Sequence, residues 1–317
     1  VITNDINIAA ASLVKNEIVA IPTETVYGLA GNAFNEEALK KIFILKRRPF
    51  YNPLIVHIKS SNCLEEVACD IPEIAWKLAE KFWPGPLTLV LKRKENISDL
   101  ITAGKDTVAV RVPNHSVALD LLSKLDFPLA APSANPFGSI SPTNAEHVSN
   151  YFKGDLEVVL DGGYCEAGIE STIIGFENNQ PILFRHGSIP VEEIEKVAGK
   201  VLINIKNDTR PDAPGMLSRH YAPATQTYLT NDVEALLNSF SDQKIGLLLF
   251  KNELIDSRVH AQEILSKSGN MQEAAKNLYA ALHRLDQLEL DLIIAERLPD
   301  FGLGKTMNDR LERATKK

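Results

Sequence analysis

Short apolar runs, each stopped by proline, glycine or a polar turn and separated by stretches with helical spacing, restrict this chain more than any other feature. Residues 18–22, 54–58, 87–91, 108–112, 158–160 and 172–174 read as strands, while 36–45, 74–82 and 116–125 carry apolar side chains at three- and four-residue intervals. That alternation predicts an α/β fold, a mixed sheet covered by helices. A helix over 191–197, entered through Ser188 and Pro190 with glutamates at its start, closes a first domain spanning residues 1–200.

Between residues 201 and 224 the periodicity stops. The stretch DTRPDAPGMLSRHYAPA, Asp208 to Ala224, holds three prolines and a glycine and reads as a linker. Beyond it, strands at 227–229, 244–250 and 291–295 alternate with helices at 232–240, 271–288 and 306–315, which predicts a smaller Rossmann-like βα domain over 225–317. A length of 317 residues suits two such domains.

Several function classes are disfavoured at this level. The longest apolar runs, 87–91 and 245–250, are five or six residues long, against the roughly 20 needed to cross a bilayer, so no membrane association is expected. Cys63, Cys69 and Cys165 form no CxxC pair and suit a reducing compartment, so a cytoplasmic location is expected. The net charge is −7, with 19 basic against 25 acidic residues through Lys200. A broad nucleic-acid surface needs clustered cations, so any contact with tRNA is expected to be weak or transient.

Five polar constellations interrupt the apolar pattern. Lys46, Arg47 and Arg48 end a predicted helix just before Pro49 and Pro53, where cations either offset the helix dipole or clamp a polyphosphate. APSANPFGSISPT, residues 131–143, offers Ser133, Asn135, Ser139 and Ser141 among prolines, either as a surface turn or as an anion cradle. Arg111 sits in the alternating run VAVRVP, where a guanidinium needs either a buried ion pair or a substrate carboxylate. DGGYCEAGIESTIIGF supplies glycines ahead of Ser171 and Thr172, and LFRHGSIP puts Arg185 at a strand end. Open α/β sheets bind ligands at strand ends, so the five together mark one site. The GKT at 304–306 is not a phosphate loop, because Pro299 stands where the first glycine is required, and it reads as the start of the last helix.

The blocks PTETVYGLAG, KRRPFYNPLIVHI, FWPGPLTLVL, VAVRVPNH, PLAAPSANPFGSISPT, GIESTIIGF, LFRHGSI and APGMLSRHYAP, in this order, resemble the YrdC-like threonylcarbamoyl-AMP synthases in the long form with an extra C-terminal domain. The resemblance implies a YrdC-like twisted open mixed sheet with a concave cationic cleft. It implies a reaction in which L-threonine, bicarbonate and ATP yield L-threonylcarbamoyladenylate and pyrophosphate, with magnesium accompanying ATP; His186 and His220 show no two-ligand spacing, so no metal site made by protein side chains alone is expected. The product would pass to separate transferase proteins that modify tRNA. Carried over residue by residue, the family's catalytic elements fall on Lys46, Arg48, Ser133 and Asn135. Its further nucleotide contacts fall on Asn52, Thr107, Ala131, Ser141, Arg185 and Tyr221, and its threonine contacts on Thr25, His57, Arg111 and Ser171. His57 by itself reads equally as a core histidine. The linker, with Tyr221, is expected to lie over the cleft as a lid.

Two other readings compete. A carbamoyl-transfer maturation enzyme would share the YrdC-type domain but add paired CxxC zinc motifs that this sequence lacks. A noncatalytic RNA-binding module would show a basic stripe interleaved with aromatics, against which the acidic balance speaks.

Overall fold

A computed structural model describes residues 1–205, 211–216 and 220–316, so the expected linker is described in part, with 206–210 and 217–219 outside the described residues. The larger sheet is built from β1 (Ile2–Thr3), β2 (Val19–Ile21), β3 (Gly28–Asn32), β4 (Ile55–His57), β5 (Leu87–Lys92), β6 (Thr107–Arg111), β7 (Leu129–Ala130), β8 (Val158–Leu160), β9 (Thr172–Glu177), β10 (Gln180–Arg185) and β11 (Leu202–Ile203). Their spatial order is β1-β8-β2-β3-β7-β4-β6-β5-β9-β10-β11. Parallel pairs such as β4 with β6 and β5 with β9 alternate with antiparallel pairs such as β5 with β6 and β9 with β10, so the sheet is mixed, as expected.

The strands read from apolar runs form within a few residues of their predicted bounds because central strands are covered on both faces. Val19–Ile21 and Ile55–His57 are buried throughout, and in Leu87–Lys92 only the terminal lysine is exposed. β3 was not anticipated: GLAGN has two glycines and an asparagine, poor strand formers that tertiary pairing with β2 and β7 overrides.

The helix Glu36–Lys46 shows how the fold handles its cations. Asn35 caps it by accepting from the Ala38 amide at 2.9 Å, and Glu36 and Glu37 complement the positive end of its dipole. Its buried face runs through Leu39, Ile42, Phe43 and Lys46, at helical spacing, so the same period that seats the apolar side chains drives Lys46 inward. Arg47 then takes a left-handed conformation (φ 52°), which ends the helix and leaves the next residue, Arg48, buried.

The smaller sheet consists of β12 (Gln226–Thr230), β13 (Ile245–Leu249), β14 (Val259–Ile264) and β15 (Leu292–Glu296), all parallel in the order β12-β15-β13-β14. Helices Val233–Leu237, Met271–Asp286 and Leu303–Ala314 accompany it. The first is shorter than its predicted span, the last starts three residues earlier, and β14, half exposed and without an apolar run, escaped the sequence reading.

On the face of the larger sheet that carries Ile55, Val90, Ala109, Ile173 and Phe184, the apolar cluster among the described residues includes no helix residue; the linker residues Ala213 and Met216 pack there, fully buried. Its far end is tied down by Ala222, whose amide donates to the Gly138 carbonyl at 2.8 Å, and by Asp286, which accepts from the Ala224 and Thr225 amides. Residues 211–216 and 220–224 therefore form a strap held against the first domain and tied at its end to the helix Met271–Asp286.

The loop before β9 packs against the helix Met271–Asp286. Gly168 has φ +70° there, and a methyl group on it would come within 2.4 Å of the Lys276 carbonyl in the helix Met271–Asp286. Gly104 has a similar φ of +74° but nothing within 4 Å. Gly168→Ala is therefore expected to cost about 1–3 kcal/mol more than Gly104→Ala, because the two share the backbone penalty and only the first is overpacked. Urea or thermal unfolding of both variants measures this; equal losses would contradict the close approach.

Candidate functional site

One cavity of about 540 Å³, including its mouth to solvent, opens between the strand ends of the larger sheet and the strap. Thr25, Arg48, His57, Arg111, Ala131, Ser133, Ser171, Arg185 and Tyr221 lie on its wall. Topology brings them together: His57 and Arg111 end the neighbouring parallel strands β4 and β6 in register, Arg185 ends β10, and Ser171 precedes β9.

The cations are nearly dehydrated, and each is held by specific acceptors. Arg48 donates from Nε to the Asn52 carbonyl at 3.2 Å and from Nη2 to the Pro53 carbonyl at 2.7 Å. Burial lowers its pKa to about 9, opposed in part by Tyr221, so the guanidinium remains charged at neutral pH. Arg185 donates to the Ser171 carbonyl and hydroxyl and to the Pro214 carbonyl of the strap, which ties strap and sheet at the cavity wall. Gly215, with φ +85°, permits this closeness, since a methyl there would lie 2.7 Å from both Arg185 Cδ and Tyr221 Oη.

Arg111 shows both features that the sequence left open. It is paired with the carboxylate of Glu24 and donates to Thr25 Oγ1 at 2.9 Å, and it also borders the cavity. Its Nε and Glu24 Oε1 are buried without protein partners among the described residues. Beside it His57 is neutral: burial, then the charge of Arg111, lowers its pKa to about 3. Its Nδ1 is itself buried, and its ring borders the cavity.

Five predicted residues lie outside the cavity wall. Lys46 is buried behind it, donating to the Ser133 and Asn135 carbonyls, so it shapes the APSAN loop from beneath. Burial and the neighbouring Arg48 hold its pKa far below the ordinary lysine value. Asn135 anchors the same loop through the Pro136 and Ser139 carbonyls. Asn52 is fully buried, its side-chain amide without a protein partner among the described residues. Thr107 opens β6, paired with Lys92 of β5. Ser141 donates to Glu170 Oε1 at 2.6 Å.

Sequence reasoning missed Glu170, the carboxylate on the wall. Besides Ser141, it accepts from Tyr279 Oη at 2.8 Å and from Arg310 Nε at 2.9 Å, both from the second domain. Burial alone would raise its pKa, but Arg310 and Arg185 outweigh that and bring it to about 2. An available signal was the lone acid within the otherwise apolar and hydroxylic GIESTIIGF. Lys305 and Thr306 of the rejected GKT pattern make domain contacts, to Glu192 and to the Gly187 carbonyl. Among the described residues no group of three or more His, Cys, Asp or Glu side chains could hold a metal ion, and no helix is long and apolar enough to cross a membrane.

The part of the chain that forms the open mixed sheet is of the Sua5/YciO/YrdC class, whose family model, described as telomere recombination, matches residues 11–187. A model for the threonylcarbamoyl-AMP synthase C-terminal domain matches residues 189–315. The chain belongs to the threonylcarbamoyl-AMP synthase family of enzymes, in its two-domain form. It is 42% identical to the threonylcarbamoyl-AMP synthase of Pyrococcus abyssi and 39% identical to that of Bacillus subtilis, in each case over 98% of this chain and 94% of the relative. The solved structure of P. abyssi Sua5 complexed with L-threonine superposes with a TM-score of 0.91 at 42% identity, covering 98% of this chain and 94% of that one.

A folded-state pKa near 3 lies below the ordinary 6.5, so the neutral His57 contributes stability that is fully present above about pH 6.5 and is lost as pH falls towards 3. NMR titration is expected to show no His57 inflection between pH 8 and 5, and His57→Gln to flatten the loss of stability between pH 6.5 and 4. An inflection near pH 6.5 would mean that the imidazole is solvated.

Proposed function

We propose that this chain synthesises L-threonylcarbamoyladenylate from L-threonine, bicarbonate and ATP, releasing pyrophosphate. The observation that carries the reading is the convergence of Arg48, Arg185 and Ser133 with Arg111, Thr25 and His57 on a single cavity wall. The first group suits a triphosphate and the second a small hydroxylated amino acid. Family membership and the threonine complex of the P. abyssi relative support the same assignment.

In the proposed reaction the threonine nitrogen, once deprotonated to the free amine, attacks the bicarbonate carbon; the bond from that carbon to its hydroxyl breaks and the hydroxyl leaves as water with a proton from the nitrogen, and an oxygen of the resulting carbamate attacks the α-phosphorus of ATP. The bond from that phosphorus to the bridging oxygen breaks, and pyrophosphate leaves with the electron pair. Negative charge grows on the nonbridging and leaving oxygens, where fixed, poorly hydrated guanidiniums are most effective. Arg48 and Arg185 are assigned that role. Lys46 and Asn135 hold the loop bearing Ser133, so their contribution is to its shape, and Asn52, Thr107 and Ser141 support the nucleotide side. Arg111 is assigned to the threonine carboxylate, with Thr25, Ser171 and neutral His57 around the side chain; hydroxyl recognition by buried polar groups disfavours valine.

Magnesium is assigned to the ATP phosphates. Among the described residues Glu170 is the carboxylate on this wall, and its oxygens are already taken by Ser141, Tyr279 and Arg310, so the wall does not fit a metal held by protein ligands alone. The strap, with Tyr221 almost fully buried over the cavity, is read as a lid that opens for the nucleotide and shields the mixed anhydride from water. The product is read as passing, in the cytoplasm, to separate transferases that modify tRNA, with at most transient tRNA contact here.

Pyrophosphate release from ATP is expected to require both threonine and bicarbonate. Arg48→Ala is expected to lower kcat about 10²–10³-fold, and valine to be used at least about a hundredfold less efficiently than threonine. Release that ignores threonine would reject the substrate assignment. Tyr221→Ala is expected to weaken ATP binding and to let intermediate escape as AMP; unchanged values would remove the lid.

A further inference from the structure

Among the described residues, Arg310 is the largest side chain that is fully buried, and it stands in the second domain. Helical spacing puts it on the inward face of Leu303–Ala314 together with Met307, Leu311 and Ala314. Its guanidinium reaches into the first domain, donating from Nε to Glu170 Oε2 at 2.9 Å and from Nη2 to the His186 carbonyl at 2.8 Å, while Nη1 is tied back to Asp309. It also lies 4.7 Å from the ring centroid of Tyr221. Tyr279, from the helix Met271–Asp286, donates to the same Glu170 oxygen and stacks near Tyr221, with ring centroids 6.0 Å apart and planes inclined by 23°. Two side chains of the second domain thus grip two cavity-wall groups of the first domain and strap. Tyr221 Oη is left buried without a protein partner among the described residues.

We propose that the C-terminal domain completes the nucleotide site through Arg310 and Tyr279, positioning residues that keep the Glu170 carboxylate neutralised and hold Tyr221 in place against the cavity. This rests on the reading above, in which Arg185 and Tyr221 face the nucleotide. An uncompensated carboxylate on that wall would repel the phosphates. It would also draw Arg185, its other strong electrostatic neighbour, away from them. Arg310 removes both effects by taking the carboxylate itself, and its cation–π contact with Tyr221 couples that neutralisation to the strap.

The test is steady-state kinetics of the full chain with Mg-ATP, threonine and bicarbonate. Wild-type turnover must first be observed, and its failure would sink the proposed reaction independently of this inference. Arg310→Met is expected to raise KM for ATP at least about tenfold while KM for threonine stays within about twofold. Tyr279→Phe, which keeps the ring and removes one hydrogen bond, is expected to raise KM for ATP by a smaller factor, about threefold. The decisive variant is Glu170→Gln with Arg310→Met: with no charge left to neutralise, the double variant is expected to regain most of the ATP affinity lost by the single one. Lys276→Ala, which removes only the exposed interdomain pair with Glu166, serves as the control and is expected to match wild type. Should Arg310→Met impair both substrates alike without rescue by Glu170→Gln, or Tyr279→Phe keep wild-type values, the second domain contributes bulk stability and the inference falls.

Discussion

Five cations, Lys46, Arg48, Arg111, Arg185 and Arg310, are buried around one cavity, and the surrounding structure is organised by the need to make that arrangement tolerable. A charge removed from water is stable only if oxygen atoms replace its hydration. Backbone carbonyls do most of this work: those of Asn52 and Pro53 for Arg48, Ser171 and Pro214 for Arg185, Ser133 and Asn135 for Lys46, and His186 for Arg310. Carbonyl acceptors carry no net charge. They hold a guanidinium in place while leaving its field available to an incoming anion, which a carboxylate partner would cancel.

Apart from Asp309, which neighbours Arg310 on its own helix, two carboxylates pair with these cations, and they differ in meaning. Glu24 sits with Arg111, on the side assigned to an amino acid that brings its own carboxylate and ammonium groups. Glu170 sits with Arg310 and Tyr279, on the side assigned to phosphates, where it is fully engaged. The strap lies between these demands, packing Ala213 and Met216 on a face of the larger sheet and presenting Tyr221 to the cavity. A two-domain chain is therefore one site whose wall is finished from outside the first domain.

Much of the fold was legible because central strands, covered on both faces, read as short apolar runs, and because the apolar stripe of residues 36–45 announces a helix. β3 and β14 were not legible: glycine-rich or half-exposed segments become strands only when a neighbour pairs with them. Of the candidate site, the residues at strand ends converge on the cavity. Lys46 does not reach its wall, because the helical period that buries Ile42 and Phe43 also turns Lys46 under the loop. His57, ambiguous on its own, borders the cavity through its position at the end of β4 beside Arg111.

By itself the sequence determined the period of the strands and helices, the stop at the proline-rich strap, and the inventory of cations, hydroxyls and glycines, because each is set by neighbours a few residues away. Tertiary structure alone decided which of those cations face the cavity, which are locked behind it, and which acids answer them. The pairs Arg111 with Glu24 and Arg310 with Glu170 span 87 and 140 residues, and a contact closed over such a distance depends on sheet order and domain docking, which no local pattern encodes.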